Sequence, residues 1–221
     1  MLMFDLLKLL DFAPRRITPI RLGTIFLYGG FCFLMAQITL QYIPFSTDTA
    51  FLRIKQPVVG LPHYQYAFFI HVYTSMLVLV AGATQFSSKL LQSKPQWHRR
   101  FGWIYVVTVV LFAAPSGLVM GWYANGGLSS QLAFCLLSLA WFYATIKAVT
   151  SARSQHWQAH RAWMIRSFAL TLSAITLRAW KYVLVALLHP RPMDVYRTVA
   201  WLSWLGNLII AEIIIYQMKK K

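Results

Sequence analysis

Six long apolar runs, separated by short polar segments, occupy most of this chain. Each run holds about 20 or more mainly apolar residues, the length that a helix needs to cross a hydrocarbon core about 30 Å thick. We therefore predict an all-α integral membrane protein whose six transmembrane helices form one domain over residues 22–217. The predicted spans cover residues 22–43, 64–87, 101–123, 128–149, 162–188 and 195–217.

A shorter amphipathic segment precedes the first span. Asp5, Lys8 and Asp11 recur every three residues among leucine, phenylalanine and methionine, so they form one polar stripe on an otherwise apolar helix. A helix of this kind lies in the membrane interface and does not cross the bilayer. We predict such an interfacial helix over residues 1–14, where Pro14 ends it.

Composition and charge favour a membrane protein over a soluble one. The chain is 58% hydrophobic, its mean hydropathy is +0.55, and only 12% of its residues are charged. The net charge of +16 does not indicate nucleic-acid binding, because the basic residues lie between the spans. In that position they orient the protein and contact anionic lipid, so we expect the lipid bilayer and no nucleic acid as partner.

The distribution of the basic residues predicts the topology. Fourteen lysines and arginines lie in the two termini and in the loops after spans two and four, whereas four lie in the opposite loops. Because the more basic side stays in the cytoplasm, both termini are predicted to be cytoplasmic, in a multi-pass protein of the inner membrane. This topology places His98 and His160 at the cytoplasmic edge and His71 in the outer leaflet.

Span five carries a polar stripe that is not expected to face lipid. Residues spaced alternately by four and three share one helix face. We expect this face to meet a cofactor, a wet cavity or other helices, because polar groups are costly in hydrocarbon. The residues of the stripe are His160, Met164, Ser167, Thr171, Ala174, Arg178 and Lys181.

Spans two and three show similar but weaker stripes. Gly82 and Gly102 stand in these stripes near histidines, where a missing side chain leaves room for a flat macrocycle or for a closely packed helix. Both interpretations stay open from the sequence. The stripes consist of His71, Ser75, Val78, Gly82 and Gln85, and of His98, Gly102, Tyr105, Val109, Phe112 and Ser116.

Charged residues inside the spans are the remaining candidates for chemistry. Glu212 and Arg166 have similar depths, so we predict that they form an ion pair. Arg178 and Lys181 have no acid at their depth. They are expected either to bind an anion, such as a carboxylated cofactor, a lipid phosphate or a polar substrate, or to extend towards the head groups.

Two histidine–arginine pairs, His98-Arg99 and His160-Arg161, begin spans three and five on the same side. Histidines on facing helices are the axial ligands of haem iron in many bundles. Nearby arginines, here Arg99, Arg161 and Arg166, suit haem propionates or a quinone head group. Interfacial anchoring, or another metal bound by the two histidines, stays an alternative.

The chain resembles a family of bacterial six-helix membrane proteins known as domain of unknown function 2306, over roughly residues 64–216. The resemblance implies membership of that family and no agreed activity. It rests on several short sequence motifs taken together. These are residues 71–86, His98 to Tyr105 (HRRFGWIY), His160 to Ser167 (HRAWMIRS), Leu177-Arg178, Trp201 to Trp204 (WLSW), Asn207 and Glu212.

The segment His98 to Gly102 also resembles, more distantly, a helix start in the four-helix transmembrane b-type cytochromes. That resemblance implies haem b clamped between His98 and His160. A second clamp would need a histidine on span four to join His71, and span four has none. The resemblance therefore implies a single haem, or a polar face that holds a quinone.

We therefore predict a cytochrome-b-like membrane electron-transfer protein that binds haem b or interacts with a quinone, alone or as a subunit of a larger redox complex. One alternative is a non-enzymatic accessory or assembly subunit of a membrane complex. Another is a small transporter or lipid-binding protein, although Pro115 marks a helix break with no match three spans away. The predicted cofactor-binding residues are His98, His160, His71, Arg99, Arg161, Arg166 and Arg178, with His98 and His160 as metal ligands.

Overall fold

The computed structural model describes residues 19–220, apart from the side chains of residues 20 and 21. Every regular element among these residues is a helix. The interfacial helix predicted for residues 1–14 lies outside the described residues. In chain order the elements are α1 (Pro19–Leu40), a 3₁₀ helix (Ala50–Lys55), α2 (Gln56–Val59), α3 (Pro62–Thr84), α4 (Ser88–Ser93), α5 (Pro95–Val107), a π-helical segment (Thr108–Ala113), α6 (Ala114–Trp122), α7 (Leu128–Arg153), α8 (Trp157–Thr171), α9 (Ser173–Leu188) and α10 (Pro192–Lys219).

Five helices are long and apolar enough to cross a membrane, and α8 with α9 makes a sixth crossing when this pair, bent by 44°, is taken as one span. The prediction of an all-helical, multi-pass membrane protein in contact with lipid is therefore confirmed. Its orientation in the membrane stays a prediction. We call the end of the bundle where α5 and α8 begin the inner end, and the end where α6 and α9 finish the outer end. The five continuous spans are Leu22–Leu40, Pro62–Thr84, Pro95–Trp122, Leu128–Arg153 and Pro192–Lys219.

The bend between α8 and α9, at Leu172, coincides with side chains that bind backbone carbonyls. Asn207 on α10 donates from Nδ2 to the carbonyl of Ala169 at 3.0 Å. The hydroxyl of Thr176 donates to the carbonyls of Leu172 and Ser203, at 3.1 Å and 2.8 Å. Such side chains compete with the helical ladder and bend helices. The sequence did not predict this break.

Span three widens into the π-helical segment just before Pro115. Proline has no N–H, so the carbonyl of Leu111 loses its regular helical partner. The wider turn also shifts the buried face by one residue, because Ala113 is fully buried whereas Phe112 is 42% exposed. The prediction that Phe112 shares one face with His98 is therefore wrong.

The main core lies between α3, α5, α7, α8 and α10, which contribute among others Val78, Tyr105, Ala144, Phe168 and Ala211. A smaller cluster at the outer end joins the 3₁₀ helix to α3. Helix α1 packs against α3 and is otherwise mostly exposed, as expected of a helix that faces lipid. The smaller cluster consists of Tyr42, Leu52, Val59, Tyr64 and Phe68.

Candidate functional site

His98 and His160 occupy equivalent positions at the inner end of the bundle. Each is the fourth residue of its helix, α5 and α8 respectively. Both side chains are partly buried, and the two imidazoles are close enough for their charges to interact. The structure thus brings together the two histidines that the sequence paired.

The two imidazoles differ in their hydrogen bonds. Nδ1 of His160 donates to the carbonyl of Ala148 on α7 at 2.8 Å, because a carbonyl oxygen only accepts. In its neutral form this ring therefore carries its lone pair on Nε2. Nδ1 of His98 is buried and has no hydrogen-bond partner within residues 19–220. A buried ring nitrogen without a partner is uncommon and asks for an explanation.

The glycines near the histidines do not both leave open space. A Cβ atom at Gly82 would lie 2.8 Å from ring atoms of Tyr105 and Phe168, so these rings fill the space there. A macrocycle does not fit over Gly82, and that glycine serves close helix packing. At Gly102 the nearest atom is the side-chain Oε1 of Gln85, at 2.9 Å from the Cβ position. That space is occupied by the end of a flexible side chain, which can rotate away.

Other helices cover the polar stripe of span five at Ser167 and Thr171. The Tyr105 hydroxyl on α5 makes hydrogen bonds with the hydroxyls of Ser167 and Thr171, at 2.7 Å and 2.8 Å. The Thr145 hydroxyl on α7 reaches Ser167 at 2.7 Å. All four side chains are buried. The middle part of this stripe therefore faces other helices, which is one of the three surroundings that the sequence predicted for it.

Arg166 and Glu212 form the predicted ion pair between α8 and α10. Arg166 Nε and Nη2 donate to the two Glu212 carboxylate oxygens, at 2.5 Å and 2.8 Å. The guanidinium also lies 4.5 Å from the ring centroid of Trp163. Because its charge is already neutralised, Arg166 is a poorer candidate for a propionate or a quinone than the sequence suggested.

Arg99 and Arg161 follow the two histidines and are exposed at the inner end. No ion pair involves either residue in the described part of the chain. Two further arginines at this end lie over indole rings, Arg100 over Trp97 and Arg153 over Trp103, at 5.1 Å and 5.7 Å from the centroids. The inner end is therefore a basic rim around the histidine pair.

His71 and Arg178 lie far from this rim, in the outer half of the bundle. His71 Nδ1 donates to the carbonyl of Ala113 in the π-helical segment at 2.9 Å, with the Ser116 hydroxyl 3.3 Å away. A Cβ atom at Gly117 would lie 3.2 Å from the His71 ring, so this glycine allows its close approach. Arg178 is close enough to His71 for an electrostatic interaction. The predicted site residues therefore divide into an inner group and an outer group.

Lys55 is a buried cation whose role the sequence did not indicate. Its side chain is 2% exposed, and Nζ donates to the Asn125 side-chain oxygen at 2.7 Å and to the carbonyl of Tyr123. Burial lowers the pKa of this ammonium group from its ordinary value of 10.5 to about 8. The sequence pointed to this burial only through the position of a single lysine among Phe51, Leu52 and other apolar residues of the loop.

No group of three or more histidine, cysteine, aspartate or glutamate side chains that could hold a metal ion occurs within residues 19–220. Two histidines are too few protein ligands for a tetrahedral zinc site, which takes at least three.

No curated protein and no solved structure matches the chain. A family model described as a predicted membrane protein (DUF2306) matches residues 68–215. The match covers about two thirds of the 221 residues and includes both histidine–arginine pairs, His71, Arg178 and Glu212. The chain belongs to the DUF2306 family of predicted membrane proteins.

Proposed function

We propose that this protein is an electron-transfer component of the inner membrane that holds one haem b between His98 and His160. The observation that carries the proposal is the proximity of two imidazoles at the same position of two helices. Haem, when bound, supplies one-electron oxidation and reduction. The protein's residues hold and orient the group and set its surroundings.

The hydrogen bond from His160 to the Ala148 carbonyl supports this role. Histidines that ligate metals commonly donate their second ring N–H to a carbonyl, which fixes the ring and leaves the other nitrogen free. The unpartnered ring nitrogen of His98 supports the proposal independently, because a ligand would satisfy the imidazole or reorient it.

The space at the inner end also suits the group. Gln85 fills the gap beside Gly102 only with its amide, whereas the rings at Gly82 close the interior of the bundle. We therefore place the haem at the inner rim. Arg99 and Arg161 are the proposed propionate partners, since both are exposed there and Arg166 is already paired with Glu212.

The test is the absorption spectrum of purified protein, produced with a sufficient haem supply, before and after reduction. We expect a Soret band and a reduced α-band that are lost in His98→Ala and in His160→Ala. His156→Ala is the matched control, because His156 is an exposed histidine at the same end of the bundle. Colourless wild-type protein, or a spectrum unchanged in both variants, would contradict the proposal.

A second candidate function is that of an accessory subunit of a membrane complex. One observation favours it. The Glu212 side chain is 54% exposed on the side of the bundle that faces away from the core, although it carries a charge within a span. A neighbouring membrane protein would cover this carboxylate better than lipid does. Cross-linking from residues beside Glu212 in native membranes tests this candidate, and capture of lipid alone would rule it out.

A further inference from the structure

His71 contacts one irregular helix, and Arg178 belongs to another. The π-helical segment of span three provides the Ala113 carbonyl that binds His71, and span five bends at Leu172, six residues before Arg178. His71 lies about 14 Å from the outer end of α3, and Arg178 about 15 Å from the outer end of α9, at 1.5 Å per residue. Both polar side chains therefore lie at one depth, well inside the span. Irregular helices and polar groups at this depth are typical of binding sites in membrane proteins.

Arg178 has a charge that no acid neutralises among the described residues. Its guanidinium donates from Nη1 to the carbonyl of Ala174 on its own helix, at 2.7 Å. The ion pairs of the described residues use other arginines, namely Arg53, Arg166 and Arg197. Tyr42 and Tyr182 lie near the guanidinium but are neutral phenols. A cation so far from water, with donors unused, requires an oxygen acceptor.

His71 offers the complementary group. Its Nδ1 carries a proton, because the Ala113 carbonyl can only accept. The neutral ring therefore presents an acceptor at Nε2, and this atom has no hydrogen-bond partner in the part of the chain that the structure describes. An acceptor and a cationic donor thus stand near each other. A ligand with a hydroxyl donor beside an oxygen acceptor can bind both groups, whereas a bare anion can bind only the cationic donor.

Helix α9 packs mainly against one neighbour. After the 44° bend it packs against α10, and it is not closely packed against α3. The side between α3 and α9 is therefore where we expect a molecule dissolved in the bilayer to approach Arg178. Lys181, one turn further along, is exposed and is not part of the pair.

We infer that His71 and Arg178 bind the polar head of a membrane-soluble molecule that presents a hydroxyl next to an oxygen acceptor, and we assign as the ligand a quinol that carries an alkoxy group ortho to its hydroxyl. The hydroxyl donates to His71 Nε2, and the guanidinium of Arg178 donates to the neighbouring oxygen. A lipid phosphate monoester has the same chemistry when singly protonated, so it is the second source to be tested. This binding goes beyond the proposed function and does not require haem.

The experiment is a titration of the full purified chain in detergent with a short-chain quinol, followed by quenching of its intrinsic fluorescence. Arg178→Gln and His71→Asn are the test variants, because asparagine keeps a donor for the Ala113 carbonyl but removes the Nε2 acceptor. Each is expected to weaken binding about tenfold or more, as the loss of one buried hydrogen bond does. Lys181→Gln is the matched control and is expected to bind as the wild type does. Arg178→Lys, which keeps the charge, serves if the glutamine variant does not fold.

A parallel titration with phosphatidic acid in mixed micelles distinguishes the two sources. Quinol binding that phosphatidic acid does not displace, and that both test variants lose, supports the inference. Binding of phosphatidic acid alone, with the same dependence on Arg178, overturns the quinol assignment. Absence of binding by either molecule, or equal binding by all variants, overturns the site itself. Neither result bears on the absorption spectrum that tests the histidine pair at the inner end.

Discussion

Arg166 and Arg178 lie twelve residues apart in the same span, on either side of the bend at Leu172. Arg166 meets a carboxylate from α10 through two hydrogen bonds. Arg178 bonds to a carbonyl of its own helix and has no acidic partner among the residues described. The two cations look alike in the sequence, where both interrupt an apolar run. Their partners make the first a link between helices and the second a candidate for ligand binding.

Lys55 adds a third arrangement to this comparison. Its ammonium group is buried in the outer loop, where neutral oxygens of Tyr123 and Asn125 accept its hydrogen bonds. One cation is thus neutralised by a carboxylate, and another is solvated by neutral oxygens from a distant part of the chain. Of these three residues, Arg178 alone has no hydrogen-bond acceptor outside its own helix within residues 19–220. Four measurements test these differences, in order of decreasing expected effect.

Removal of the carboxylate should have the largest effect. Glu212→Gln leaves the guanidinium of Arg166 without a counter-charge, so we expect a loss of about 2 kcal/mol in the free energy of unfolding. Half exposure of Glu212 keeps this value below that of a fully buried pair. Thermal unfolding in detergent measures it. The double variant Arg166→Gln/Glu212→Gln should recover part of the loss, and an equal loss in both would show that the charge is not the cause.

A substitution in the stretch between the two arginines should have the next largest effect on the free energy of unfolding. Tyr105→Phe removes one hydroxyl from the buried contacts with Ser167 and Thr171, and we expect a loss of about 1.5 kcal/mol. Tyr66→Phe is the control, because Tyr66 is 71% exposed. The same unfolding measurement applies. A stable Tyr105→Phe variant would mean that water or a ligand replaces the hydroxyl, and that this part of the span is open.

Lys55 should make stability depend on pH. Its pKa is about 8 in the folded chain and returns to about 10.5 on unfolding. The unfolded chain therefore binds more protons between these values, so stability rises with pH, by about 1 kcal/mol from pH 7 to pH 9. Below pH 7 the group contributes no slope. Lys55→Gln should remove this slope, and an identical slope in the variant would assign it to other groups.

Arg178 should have the smallest effect on stability. Because no carboxylate depends on it within residues 19–220, Arg178→Gln is expected to change the free energy of unfolding by less than about 0.5 kcal/mol, or to raise it. A loss as large as that of Glu212→Gln would reveal a structural partner and remove the contrast between the two arginines. Lys181→Gln gives the baseline for an exposed cation of the same helix.

Composition was enough to predict an all-helical protein with several membrane crossings, because apolar length is the main requirement for spanning a bilayer. The pairing of Arg166 with Glu212 also followed from depth, since the chain has few acids to choose from. The roles of Gly82 and Gly102 did not follow, because a missing side chain does not say which neighbour fills the space. The bend at Leu172 depends on Asn207 from another helix, and Lys55 depends on Asn125 seventy residues away. Contacts of this kind need the packing of the whole bundle.

The π-helical segment separates the two halves of span three in rotation. One residue more than a regular turn needs rotates α6 by about 100° from the direction in which α5 would have carried it. Ser116 and Gly117 reach His71 through that rotation. Loss of a single residue between positions 108 and 113 would leave span three long enough for the bilayer, yet it would point these two residues away from His71. The length of this one turn therefore determines which residues of span three contact His71.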